Sequence, residues 1–545
     1  MNFRPIKVMD IELSRPLPTI EGLNGYGAIQ ALIRLHGTPV GYVRLPVLGD
    51  CCSAEAFEEA ILEEHSWAIL RRFLYDGLTT MATCGRLRME DLIHSVHPEV
   101  RIGPRPLVTV AVCSRDRTAD LALCLDSLQG LSYPFLDLLV VDNAPSSNAT
   151  EILVREKYPH MRYIREERPG LNWARNRAIV EARGEIIAYT DDDVVVDPGW
   201  ITALVNIFAE NPEVMAVTGL VVPDELETEA QILFEKKWGG FGKGFERKWY
   251  RADGNRRVGK VYGSPGKLGS GANMAFRVGV FGRIGYFDPA LDAGTPADGG
   301  GDLEMFFRFL KEGYTLVYEP RAIVRHRHRR DFADLQRQLT TWGTGFYSHL
   351  LRSAFAYPEE RLTLFWLGTE QFMRRNIRYG LVSSLRELSP VVRDLLCAEL
   401  WGALKAPFRY RKSRSVAVKI EQTFGPLLPA PEPTISSRLI PRKRKSTAVR
   451  TVDLCQLSPL TDVADFTHVR LCVYRKDHFL GNLDIPTYGP SISRSRLCDA
   501  IVDHLGVKLL DSTPLSPDLL QRKMFRVLAG SYIQTVRAKG NVVAS

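Results

Sequence analysis

Three consecutive carboxylates, Asp191-Asp192-Asp193, close a segment whose residues Glu185 to Thr190 are apolar and β-branched enough for a short buried strand. Three adjacent acids repel one another unless positive charge sits among them. A hard divalent cation is one solution, since Mg²⁺ and Mn²⁺ sites commonly share such carboxylates with substrate phosphates. The plainer solution is a solvated acidic loop capping the helix expected from Pro198, and an isolated triplet would sooner be read that way. This triplet is not isolated. Cys113-Ser-Arg-Asp-Arg117 and Asp142-Asn143 each follow an expected strand, and Pro169 to Asn176 opens an expected helix. Polar groups at the carboxyl ends of successive parallel strands are what a nucleotide crevice requires. An Asp after a strand can accept from a base N–H or from ribose hydroxyls, and Arg175 can meet phosphate or pair with the acids. Asp302, taken alone, is an N-cap of its own helix.

The elements that must position these groups alternate. Strands are expected at 107–112, 136–141, 161–165, 185–190 and 214–222, with helices at 119–128, 147–157, 173–182 and 198–210. Repeated β-α-β implies an α/β fold with a mostly parallel sheet and helices on both faces. Residues 224–296 are glycine-rich and read as a functional loop or lid. A helix over 302–312, ended by Gly313, and a strand over 315–318 follow. The chain then turns helical to about 421. Pro426 to Ser446, ending in Pro441-Arg-Lys-Arg-Lys445, reads as an exposed, solvated linker. The two ends share a pattern of strand, turn, strand ending in Pro, then helix: residues 33–61 align with 473–501 at an offset of 440 without a gap. The expected division is an N-terminal α+β module (1–100), an α/β core (105–350), a helical extension (351–425), a linker (426–450) and a C-terminal α+β module (451–545).

At 545 residues the chain exceeds one ordinary core, and 45% hydrophobic with 25% charged residues is globular. A net charge of +8 permits an acidic partner without specifying one. The nine cysteines show no zinc spacing and read as reduced thiols. Neither a signal peptide nor a membrane-spanning stretch is evident, so the expected location is cytoplasmic, with peripheral association at the inner face of the plasma membrane allowed for.

The order of Val108 to Arg117, Leu139 to Asn143, Pro169 to Asn176, Tyr189 to Asp193, Gly269 to Arg277, Gly300 to Arg308 and Tyr318 to His326 resembles the GT-A-fold glycosyltransferases of the large inverting family 2, over about residues 105–350. The resemblance implies transfer of a sugar from a UDP-, GDP- or dTDP-linked donor to a glycan, lipid-linked or small-molecule acceptor, in polysaccharide or glycoconjugate biosynthesis. It implies Mn²⁺ or Mg²⁺ as cofactor and no nucleic-acid partner.

Residue by residue, the resemblance implies that Ser114, Arg115, Asp142, Arg175, Asp191 and Asp192 hold the nucleotide-sugar. Asp191 and Asp193 form the DxD motif and hold the metal with His326. Ala272 and Asn273 border sugar and acceptor. Trp342 sits on a helix loosely like the acceptor helix of processive members. Asp302 matches the general base, with Glu304 as the fallback, and Gly301 stands where the family has Glu. Such a displacement needs a base on the acceptor hydroxyl and a cation against the leaving diphosphate. Two rivals are a nucleotidyltransferase of related fold, which would usually carry a glycine-rich phosphate loop after the first strand, and a degenerate nucleotide- or sugar-binding scaffold.

Overall fold

A computed structural model describes residues 3–80, 105–252, 267–373, 390–427, 445–510 and 518–543. The N-terminal module is a three-stranded sheet followed by a long helix. Strand β1 (Ile6–Glu12) runs parallel to β2 (Ala28–Leu35), which pairs antiparallel with β3 (Thr38–Pro46), and the helix Ala54–Thr80 covers them.

The central sheet has nine strands: β4 (Val108–Ser114), β5 (Leu136–Asn143), β6 (Arg162–Glu166), β7 (Ile186–Asp191), β8 (Val194–Val196), β9 (Val214–Pro223), β10 (Lys248–Tyr250), β11 (Met274–Arg277) and β12 (Thr315–His326). Their order is β10-β12-β9-β11-β7-β4-β5-β6, with β8 on β12. The pairs β4/β5, β5/β6, β4/β7 and β9/β12 are parallel, whereas β11 is antiparallel to both its neighbours. All ten residues of β9 are buried, as a strand covered on both faces requires.

Two expectations change. The stretch 224–296 is not loop throughout: it holds the helix Glu229–Trp238, closed by a Thr228/Gln231 capping box, and the strands β10 and β11. Residues 253–266 of it lie outside the described residues. The strand expected at 315–318 runs on to His326. Pro320 interrupts the apolar pattern, but a register shift between Glu319 and Ile323 absorbs it and pairing with β9 resumes.

The C-terminal module repeats the N-terminal topology. Strand β13 (Lys445–Asp453) is parallel to β14 (Phe466–Arg475), which is antiparallel to β15 (His478–Pro486), and the helix Arg494–Leu509 follows. The register slips between Ile33 and Arg34 in one module and between Val473 and Tyr474 in the other. The turn residues His36 and Lys476 have φ of 52° and 53°. The isolated bridges Ile20–Cys52 and Leu460–Ile492 also correspond. Each of these positions is 440 from its counterpart. Strand β13 starts within the stretch expected as linker, and residues 428–444 lie outside the described residues. Seven described cysteines are free.

The chain ends share one core. Phe57, Ile69 and Phe73 pack in the same cluster as Leu471, Leu497 and Ile533. The ring of Phe73 stands edge-on to Tyr532 at 4.7 Å. Phe73→Ala should therefore destabilise by about 3–5 kcal/mol and lower the denaturant midpoint. It should also expose the C-terminal module to proteolysis; cleavage confined to the N-terminal module would show two independent cores.

Candidate active site

Strand β7 delivers the acid triplet to the sheet's carboxyl edge, where Asp191 pairs in register with Cys113 of β4. After the triplet, β8 turns back along β12, so that Val194 pairs with His326. That ladder sets His326 beside Asp193: Nε2 lies 3.3 Å from Oδ1, and the Arg327 amide donates to the Asp193 carbonyl at 3.1 Å. One donor atom each from Asp191, Asp193 and His326 fall within 4.8 Å of one another. Donors this close need only a small side-chain adjustment to converge on one cation at about 2.0–2.2 Å.

The electrostatics fit the same purpose. Burial, with Asp193 and Asp192 adding to it against Arg175, pushes Asp191 up to about 7. Burial likewise raises Asp192 to about 6, opposed by Arg117. Asp193 is held below the usual range, burial being outweighed by His326, Arg117 and Arg329. Burial lowers His326 to about 4, so at neutral pH its imidazole is uncharged and the two arginines account for the ionised Asp193. A neutral imidazole is the form that ligates metal. The buried Nδ1 of His326 has no hydrogen-bond partner among the described residues.

Arg117 reaches across from the segment after β4. It meets Asp192 at 2.7 Å, Asp193 at 3.2 Å and Asp120 at 2.9 Å. The Ser114 hydroxyl donates to Asp192 at 2.8 Å, which fixes the middle acid away from the Asp191–His326 side. Arg329 approaches Asp193 at 3.5 Å.

The triplet opens onto a cleft of about 1240 Å³ whose lining includes Arg175, Asp191, Ala272, Asp302, His326 and Trp342. Asp302 accepts from the Gly271 amide at 2.9 Å and from the Leu303 amide at 2.8 Å. Burial and then Asp292 raise it, against Arg175. A side chain at Gly271 would lie 2.8 Å from the Arg175 guanidinium and 3.4 Å from the Asp302 carboxylate. The glycine thus keeps open the space between them.

The structure does not bring every expected residue to the cleft. Glu304 is fully buried and ion-paired with Arg308 and, at 3.1 Å, with Arg352. Asn273 is scaffold: its amide donates to the carbonyls of Leu220 and Ala322 and its oxygen accepts from Trp200. Asp142 is buried at the end of β5, accepting from the Tyr163 hydroxyl at 2.8 Å, and does not line the cleft. Arg115 is half exposed beside Asp116 at 3.9 Å.

Two residues escaped the sequence. Arg117 lay inside a quoted motif, and its i,i+3 spacing to Asp120 was the available signal. Asp292 gave none: it binds Arg175 at 2.5 Å from 117 residues away. Its φ of 76° is unusual for a residue with a side chain. A Cβ at Gly301 would collide with the Asp292 carboxylate and the Asn172 amide. The space a side chain at 301 would occupy is therefore already filled by an acid.

Residues 109–285 match the family model described as glycosyl transferase family 2. The core is a family 2 glycosyltransferase domain. Its fold is GT-A, and the chain is a glycosyltransferase. It is 24% identical over 235 residues to a glucosyl-dolichyl phosphate glucuronosyltransferase of Haloferax volcanii, covering 40% of this chain and 69% of that one. It is 24% identical over 251 residues to a poly-beta-1,6-N-acetyl-D-glucosamine synthase of Staphylococcus epidermidis, covering 45% of this chain and 56% of that one. Among solved structures, a mannosyltransferase of Pyrobaculum calidifontis in complex with GDP-Man and Mn²⁺ aligns at a TM-score of 0.32 and 17% identity, over 66% of this chain and 88% of that one. No helix among the described residues is long and apolar enough to cross a membrane.

The raised Asp191 has a thermodynamic consequence. The folded chain keeps a proton that the unfolded chain releases near pH 4, so this group's contribution to stability falls as pH rises from about 4 to 7. A cation at the triplet would relieve that loss. Mn²⁺ should raise the melting temperature more at about pH 7.5 than at about pH 5.5. The opposite order, or no effect at either pH, would remove Asp191 from the ligand set.

Proposed function

We propose that the glycosyltransferase moves a hexosyl group from a nucleotide-diphospho-sugar to an acceptor hydroxyl by metal-dependent, inverting displacement. One observation carries this reading: a carboxylate–imidazole cluster able to hold a cation and a second carboxylate, Asp302, face the same cleft with Arg175 near both. Bound there, Mn²⁺ or Mg²⁺ would neutralise charge on the leaving diphosphate. Asp191, Asp193 and His326 hold it. Arg175, fixed by Asp292, adds permanent positive charge on that side of the cleft. Asp302 takes the acceptor proton, and its environment supports the role, because a carboxylate raised by burial binds a proton more readily than one in water. Ala272 and Trp342 border the sugar and acceptor region. The degenerate-scaffold alternative rests on Gly301, and the acid of Asp292 in that space weakens it. The glucosyl-dolichyl phosphate in the Haloferax relative's name favours a lipid-linked acceptor over a free glycan. A cytoplasmic location remains part of the proposal.

Asp193→Ala should lower Mn²⁺-dependent transfer by about a hundredfold or more, since it removes a ligand and a charge partner of two arginines. Unchanged activity would sink the metal assignment. Asp302→Asn should leave donor binding, followed by thermal stabilisation, near normal while turnover falls by about 10²–10⁴. Retained turnover would remove the base from Asp302, and Glu304, locked by two arginines, would not replace it.

A further inference from the structure

The helices that wall the cleft turn a second face to solvent. In the helix Arg361–Phe372, Leu364 and Leu367 are buried, and Gln371 lines the cleft. On the opposite side Leu362, Phe365 and Trp366 are about two-thirds exposed, at 65%, 65% and 67%. In the helix Pro390–Phe424, Glu399 and Ala403 line the cleft, while Trp401, Leu404 and Phe408 are exposed by 56%, 55% and 80%. Scattered exposed apolar residues are ordinary, but six large ones on two helices that line one cleft are not.

Charge accompanies them. Positions 401, 404 and 408 fall on one stripe of the helix, and Lys405, Lys412 and Lys419 recur every seventh residue along it. Lys405 Nζ lies 4.4 Å over the Trp401 ring. Arg409, Arg411 and Arg414 are exposed beside them, and no acidic residue occurs from 400 to 420. Aromatic and aliphatic tips beside long basic side chains describe a helix lying in a lipid interface, its rings among the headgroups and its lysines on lipid phosphates. A second copy of the chain would bring the same positive stripe and be repelled. Leu362 and Leu404 offer no stacking surface to nucleic-acid bases.

We propose that the outer stripe of the helix Pro390–Phe424 docks on an anionic lipid bilayer, holding the catalytic cleft about one helix diameter from the headgroups. The proposal stands on the surface alone and does not depend on the transfer chemistry.

The test is sedimentation of the full chain with vesicles of phosphatidylcholine, alone or with about one third phosphatidylglycerol. Binding is expected to the anionic vesicles, much weaker to the neutral ones, and lost at high salt. The double variant Trp401→Ser/Phe408→Ser should lower partitioning by about tenfold or more. Lys412→Gln and Lys419→Gln should each lower it about fivefold. All four side chains are exposed, so melting temperatures should stay within a few degrees of wild type. Failure of the wild-type chain to sediment, equal binding to neutral vesicles, or full binding by the variants would each overturn the proposal. So would a concentration-dependent dimer in light scattering that Trp401→Ser/Phe408→Ser abolishes, since the face would then be a self-association surface.

Discussion

Three carboxylates crowded into a buried sheet edge are the constraint on which the rest of the structure depends. Charge of one sign in a low-dielectric place is tolerable only if compensated locally. The compensation comes from three directions: Arg117 after β4, Arg329 after β12, and Arg175 from the helix Leu171–Glu181. Each divides the triplet differently. Arg117 and Ser114 take up Asp192. Arg117 and Arg329 hold Asp193 ionised. Asp191 is left with the weakest compensation, because Arg175 pairs directly with Asp292. An under-compensated acid beside a neutral histidine is a site with room for one more positive charge, which a cation can supply.

Holding β12 in place is therefore as important as holding β7, since β12 brings His326. Its pairing with β9 supplies most of that hold, and the terminal modules add to it. Asp10 of β1 pairs with Arg325, one residue from His326, at 2.6 Å. Arg34 of β2 bridges Asp10 and Asp197, both at 2.7 Å. Farther along β12, Arg247 joins Glu319 to Asp499 of the C-terminal module, again at 2.7 Å each. Leu32 packs among Leu220, Val222, Tyr318 and Ile323. These are buried or half-buried contacts, where pairing serves more to fix geometry than to add net stability. The modules at the two ends thus act on the site through one strand.

How far the sequence revealed this depended on how local the signal was. Strands β4, β5, β7 and β9 are continuous apolar runs, and the periodicity found them within a residue or two. Strand β11 has only four residues, hidden behind Gly269-Ser-Gly271, and its place between β7 and β9 is a tertiary fact. Pro320 concealed the length of β12. The Asp191, Asp193 and His326 set was legible because motif order carries it across the chain. Its partners were less so. Glu304–Arg308 has the spacing of a helical ion pair, which local chemistry alone could have flagged as structural. The Arg175–Asp292 pair joins segments with no pattern in common, and nothing short of the fold brings them together.

Glycine decides the shape of the wall opposite the triplet. Gly345 packs its Cα face against Gly299 and Gly300, and any Cβ there would strike backbone. Gly343 and Gly402 do the same between the helices Phe332–Ala356 and Pro390–Phe424. Backbones brought this close leave little room for side chains between them, so the large residues of the outer helix cannot be absorbed by its inner face. Trp401, Leu404 and Phe408 are left outside as a consequence of how tightly the inner face is built. A chain that gained nothing from that exposure could replace them with polar residues at small structural cost, because more than half of each lies outside the wall. Their apolar character, set among lysines and next to the cleft, is therefore better explained by what meets the outer face than by what the fold requires.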